Sequence, residues 1–201
     1  MKISQRLFHA LALTCALAFA TPACADEPIP NEKIKRRMAR IAAIPATLQN
    51  PDFEEKSDTG LPSGWSGVVH AGNSYLVERD DAQAFSGKSC LSIKNMAIPE
   101  WGGANQVFQA GSLAGRDITI SAQIKAQGVT ANGFFIGLKI LRTGHELGYF
   151  QTPDGSITGD TEWKKLDLST KLPEDATHLE LSLILHGDGK VWVDNLQIES
   201  R

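Results

Sequence analysis

The chain has 201 residues, with 23 acidic against 20 basic side chains and a formal charge of −3. That balance gives nucleic acid and anionic membrane surfaces no electrostatic reason to bind. Three cysteines, two of them among the first 24 residues, exclude a disulfide framework for the remainder.

Residues 1–25 read as a secretory signal. Lys2 and Arg6 precede an apolar run over 7–20, and Ala23-Cys24-Ala25 supplies a small-residue cleavage site. The apolar run falls short of the about 20 residues that span a bilayer, and no later segment is long and apolar enough to do so. Lipid attachment at Cys24 is the lesser reading, because Thr21-Pro22-Ala23 lacks the usual Leu upstream. Cleavage after Ala25 removes Lys2 and Arg6 and takes the formal charge from −3 to −5. It also removes Cys15 and Cys24 and leaves Cys90 alone, as a small apolar filler. About 176 residues remain, enough for one domain with a real core.

Residues 26–46 form a linker bounded by Pro28, Pro30 and Pro45. It contains the basic run 33–40, where Ile34, Met38 and Ile41 have the spacing of a short amphipathic helix. A solvated N-terminal helix is the reading favoured over an anchor to an acidic surface.

From residue 48 the pattern becomes short β-type runs between turns. Strands are expected over 67–78, 90–95 and 105–110, with Ser86-Gly87-Lys88 as the turn before the second. Over 117–127, Ile118, Ile120, Ala122, Ile124 and Ala126 alternate with Thr119, Ser121, Gln123 and Lys125. Over 133–142 the inward set is Phe134, Ile136, Leu138 and Ile140, with Lys139 outward. A short strand follows over 147–151, then 163–170 with Leu166 and Leu168 inward, and 178–185 with four inward leucines. Gly187-Asp188-Gly189 turns into a last strand over 190–199. Nine or ten such strands without a strong helix make an all-β, two-sheet antiparallel sandwich over 47–201, with one buried face per strand.

In the last strand Trp192, Leu196 and Ile198 share one parity, and Asp194 interrupts that apolar face. A carboxylate there must be protonated, paired or bound to a cation, because burying it unpaired is costly. Asn50-Pro51-Asp52-Phe53-Glu54-Glu55 sets an apolar Phe among acids, and the two ends of the sandwich are expected to meet there.

Catalytic signatures are missing. Gly64-Trp65-Ser66-Gly67 has the wrong spacing for a nucleophile elbow, and there is no phosphate loop, dinucleotide fingerprint or H-E-x-x-H. His70, His145, His178 and His186 are scattered singly, and the carboxylate pairs Asp80-Asp81 and Glu174-Asp175 fall in turns.

Asn50-Pro-Asp-Phe-Glu54, then Gly64-Trp65, then Ser86-Gly87-Lys88, then Gly189-Lys-Val-Trp-Val-Asp194-Asn resemble, in order and spacing, the cellulase-C-type carbohydrate-binding modules. These belong to the galactose-binding-like jelly rolls, and the resemblance covers roughly 48–199. It implies a jelly-roll fold and a structural calcium ion near the sandwich edge. The ligands would come from Asp52, Glu54 and Asp194, with the carbonyls of Ser86 and Lys88; calcium prefers several hard oxygens of these kinds.

The resemblance also implies a polysaccharide or oligosaccharide partner. Trp101, in the glycine-flanked stretch 98–105, offers an indole that can stack on a sugar ring. Gln123, Lys125, Lys139, Ser182 and His186 stand at outward parities, and Tyr149 adjoins Phe150 so that one of the two faces outward. The expected function is therefore an exported, non-catalytic carbohydrate-binding domain. The alternatives are a cell-envelope scaffold domain on the same fold, or a jelly-roll polysaccharide lyase using Tyr149, His145 or His186.

Overall fold

The computed structural model describes residues 36, 44–70, 73–97, 100–143 and 145–201. The chain divides into two compact units, Met1–Met38 and Ala39–Arg201; of the first, only Arg36 is described, helical and exposed. The signal and most of the linker thus lie outside the described residues. Among those residues, no helix is long and apolar enough to cross a membrane.

Alternation in the sequence becomes two facing sheets. The strands are β1 (Ser66–Val69), β2 (Tyr75–Asp80), β3 (Cys90–Asn95), β4 (Trp101–Gln109), β5 (Asp117–Arg142), β6 (His145–Gln151), β7 (Ile157–Lys171), β8 (His178–His186) and β9 (Lys190–Ser200). All pairings are antiparallel. The first half of β5 pairs with β7 and β9, the second half with β8 and β6. Register shifts between Ala126 and Phe134 mark the corner where β5 changes sheet. A front sheet therefore runs β1-β4-β8-β5-β6, and a back sheet runs β7-β5-β9-β3-β2.

Between them lies the core. Ile118, Ile120, Ala122, Ile124 and Ala126 from the back half of β5 meet Phe134, Ile136, Leu138 and Ile140 from its front half. Leu179, Leu181, Leu183 and Leu185 of β8 complete the front layer, and all of these side chains are buried. This is the all-β, antiparallel jelly-roll sandwich that the alternation and the resemblance predict.

Three local differences have physical causes. The run 67–78 is two strands: β1 joins the front sheet and β2 the back. β4 begins at Trp101 rather than 105, because Gly102-Gly103-Ala104 carry almost no side chain with which to display alternation. In β9, Asn195 takes φ 51°, and the ladder to β5 shifts register between Ser121 and Gln123. That bulge reverses parity. Val191, Val193 and then Leu196 enter the core, whereas Trp192 and Asp194 face outward from the back sheet, opposite Lys125 and Gln123. Trp192 and Leu196 consequently do not share a face.

The two ends of the sandwich do meet. The Leu196 N–H donates to the Pro51 carbonyl at 2.9 Å, and Phe53, fully buried, packs on Trp65 with ring centroids 5.3 Å apart. The buried Ser89 hydroxyl donates to the Phe53 carbonyl at 3.0 Å, and Cys90, next in the chain, is buried as well. Burial, reinforced by the charges of Asp80 and Asp194, pushes its thiol up to about 12, so it fills space and holds no thiolate.

Candidate functional site

Outward positions of the front sheet lie in cross-strand rows. Trp101 pairs with His186, Asn105 with Ser182, and Gly103 with Ile184 across β4 and β8. Across β5 these continue as Ile184 to Phe135, Ser182 to Gly137 and Glu180 to Lys139, and Lys139 then pairs with Tyr149 on β6. Each is one residue out of phase with a buried core position, so the alternation that fills the core also builds this face. Trp101, Asn105, Lys139, Tyr149, Ser182 and His186 line one pocket of about 280 Å³. Phe135, Ile184 and Val68 supply its apolar floor, and Glu180 its single carboxylate.

Gly137 sits beneath the Tyr149 phenol: a Cβ there would lie 2.6 Å from the hydroxyl oxygen. Lacking that atom, the strand lets the ring fold over the sheet. The Trp101 indole is backed by the His70 imidazole, with ring centroids 5.4 Å apart and planes inclined by 34°. His70 Nδ1 in turn lies 3.5 Å from Glu100.

The charges in the pocket compensate one another. Lys139 Nζ is 3.6 Å from Glu180 Oε2, and the Asn105 amide donates to Glu180 Oε1 at 3.0 Å. The Asn132 amide reaches the His186 ring at 3.2 Å. Burial first, then the negative charges of Glu180, Asp154 and Glu146, push the Tyr149 hydroxyl above its ordinary range. A pocket that pairs aromatic platforms with a few fixed donors and acceptors, and no net charge, suits a neutral hydroxyl-rich ligand.

Of the six residues expected to bind sugar, Trp101, Lys139, Tyr149 and His186 come together here, with Ser182. Gln123 and Lys125 do not. Their parity is outward too, but on the back sheet, the opposite side of the sandwich. Asn105, Glu180 and Phe135 were missed by sequence reasoning. Their signal was present as outward parity on β4, β8 and β5, but it needed the strand order to be interpreted.

The residues expected to hold calcium also assemble, in a different sense. Asp194 Oδ2 accepts the N–H groups of Phe85 and Ser86 at 2.9 and 2.8 Å, and Oδ1 accepts that of Asn195 at 2.7 Å. Glu54 Oε1 accepts the N–H groups of Lys88 and Ser89 at 2.7 and 3.1 Å. At Gly87 φ is 67°, and a Cβ would lie 2.1 Å from Glu54 Oε1, so this turn takes only glycine.

Ser86 and Lys88 therefore meet the carboxylates through N–H donors, not through the carbonyls that calcium needs, and Asp52 is exposed in the turn. Among the described residues no group of three or more His, Cys, Asp and Glu is placed to hold a metal ion. As arranged, these residues fit a hydrogen-bonded anchor for the 81–89 segment and do not fit a calcium ion.

Backbone N–H bonds, led by that of Lys88, hold the Glu54 carboxyl below its usual range. Burial pushes Asp194 up despite its three N–H bonds, and the nearby Glu54 charge adds to that.

No protein-family model matches the sequence, and no curated protein matches it. Solved structures do. The enzymatically active domain of bacteriophage CBA120 tailspike protein 4 is 12% identical at a TM-score of 0.58, covering 78% of this chain and 21% of that one. A cyclase from Fischerella sp. TAU is 16% identical at 0.58, covering 79% and 97%. The CBM22-1 xylan-binding domain of Paenibacillus barcinonensis Xyn10C is 20% identical at 0.52, covering 74% and 90%. The match to a family 22 module broadens the expected resemblance, which is to carbohydrate-binding modules and not to the cellulase-C type in particular. At these identities the likeness is one of fold, and the fold is the jelly-roll sandwich that carbohydrate-binding modules share with some enzymes.

Proposed function

We propose that this protein is an exported, non-catalytic carbohydrate-binding domain that holds a neutral glycan across the front sheet. The observation that carries this reading is the gathering of Trp101 and Tyr149 with the self-neutralised Lys139–Glu180 pair in one pocket. Sugar rings present apolar faces to an indole or phenol, and their hydroxyls both donate and accept. Asn105, Ser182 and His186 stand where such groups are needed. The xylan-binding neighbour, on the same fold, supports a polysaccharide or oligosaccharide as the partner. Export rests on the signal-like residues 1–25.

A lyase is the weaker reading. It needs a basic groove and a tyrosine that gives up its proton readily, whereas Tyr149 faces Glu180 and is pushed the opposite way. The only lysine lining the pocket is already paired with that carboxylate. A scaffold domain would present a contiguous apolar patch, and the front face instead mixes apolar and hydrogen-bonding side chains.

The test is Trp101→Ala, assayed on a glycan array and then by calorimetry with the best ligand. Loss of the stacking platform should weaken binding at least tenfold, about 1.4 kcal/mol. The melting temperature should change little, because Trp101 is only partly buried. A large fall in melting temperature, or an unchanged affinity, would remove Trp101 from the site.

A further inference from the structure

The back sheet has a groove of its own, of about 510 Å³, on the side of the sandwich away from the front pocket. Its floor is Trp192 beside Lys125, which face one another across β9 and β5. The start of β7 contributes Asp160 and Glu162, β5 contributes Gln127, and the 81–89 segment contributes Gln83. The β7 wall stands where the ladder slips between Ala126 and Ile124, a bulge that turns Glu162 out of the pairing.

Part of the hydrogen-bonding capacity in this groove is spent: Asp160 Oδ1 accepts the Gly128 N–H at 2.6 Å and the Trp192 indole donates to Asp80 at 2.9 Å. The amides of Gln83 and Gln127 have no partner among the described residues. The Thr161 hydroxyl, buried and without a hydrogen bond among the described residues, belongs to the inner face, since Thr161 pairs with the core residue Ala126.

The charges narrow the ligand class. Lys125 Nζ lies 3.2 Å from Glu162 Oε2. Lys190 Nζ sits 4.6 Å from the centroid of the Trp192 ring and is paired with Asp80 at 3.0 Å. An anionic ligand would meet Asp160 and Glu162, and a cationic one would meet two lysines. A neutral polyol can donate to these carboxylates and accept from the Gln83 and Gln127 amides.

We infer that this back-sheet groove is a second binding site for a neutral glycan chain. The protein then carries two sugar sites on opposite faces, and can bridge two chains or grip one polymer with added avidity. The choice of ligand rests on the carbohydrate reading of the front pocket, and the experiment separates the two. ¹⁵N-labelled Trp101→Ala protein is titrated with xylohexaose while the Trp192 indole N–H resonance is followed. A saturable shift of that resonance is expected, weakened at least tenfold by adding Lys125→Ala and Gln127→Ala, which alter the surface and not the core.

A Trp192 resonance that stays still in the Trp101→Ala protein, while Trp101 moves in the parent, overturns the second site and leaves the first standing. A shift that survives Lys125→Ala with Gln127→Ala also overturns it. Silence of both indoles in the parent overturns both sites.

Discussion

The two outer faces of the sandwich are built by the same alternation and used differently. On the front sheet the outward rows from Trp101 to Tyr149 lie open, and their polar groups are fixed by one another. On the back sheet the 81–89 segment folds over Asp194 and is pinned by four N–H bonds to Asp194 and Glu54. Phe85 of that segment rests edge-on against Trp163, 5.9 Å between centroids. The difference shows that an outward-facing acidic or aromatic residue in this chain is structural where a loop covers it and available for binding where none does.

Asp194→Ala should break the covered face hardest. It leaves three backbone donors without their acceptor, and removing the partner of a buried group costs about 1–3 kcal/mol for each group stranded. We expect a loss on the order of 3 kcal/mol in urea unfolding, with glycan affinity at the front pocket unchanged once the protein is folded. An equal loss of both properties would mean that the two faces are coupled.

Asp80 is the next largest effect and gives the comparison a pH dependence. Burial acts to raise its carboxyl. Bonds from the Trp192 indole at 2.9 Å, the Ala82 N–H and the Lys190 ammonium at 3.0 Å outweigh that and hold it below its usual range. A carboxyl depressed in the folded state contributes stability that is present in full above its unfolded value, about 4. That contribution is lost as pH falls through the folded value. Asp80→Asn should therefore cost about 1.5 kcal/mol near pH 7, the low end for bonds to a charged group. The gap from the parent should close in melts run below the usual carboxylate range. A gap that persists unchanged in acid would assign the loss to packing and not to charge.

Chelation is the smallest effect expected. With N–H groups occupying Asp194 and Glu54, an added chelator should leave the melting temperature where it was, in protein verified free of metal and in protein given calcium. A calcium-dependent rise would show the 81–89 segment rebuilding around an ion, since a ligand bound only by the folded state stabilises it.

Much of the fold was legible because period-two alternation is a direct imprint of a half-buried strand. Leu179 to Leu185 and Ile118 to Ala126 needed no tertiary information. The front pocket was legible in part for the same reason: Lys139, Ser182 and His186 were read from parity alone. Parity names a face but not a sheet, so Gln123 and Lys125 were grouped with residues on the other side of the molecule.

Two further features were beyond reach. The bulge at Asn195 reverses β9 and takes Trp192 out of the core, and nothing in Val193-Asp194-Asn195 distinguishes it from regular strand. Trp101 read as a loop residue because Gly102 and Gly103 hide the pattern of β4. That Asp194 needs a partner was legible from chemistry, since a carboxylate set among the apolar residues of the last strand cannot be buried unpaired. That the backbone N–H groups of Phe85 and Ser86 reach it was not.

The central claim is that the front sheet binds glycan through Trp101. The chain has four tryptophans, at 65, 101, 163 and 192, so their indole N–H resonances report separately on the two faces and on the Phe53–Trp65 plug. In parent protein titrated with xylohexaose, the account predicts a saturable shift of Trp101 with Trp65 and Trp163 unmoved. Binding that moves Trp163 or Trp65 and leaves Trp101 still would contradict it.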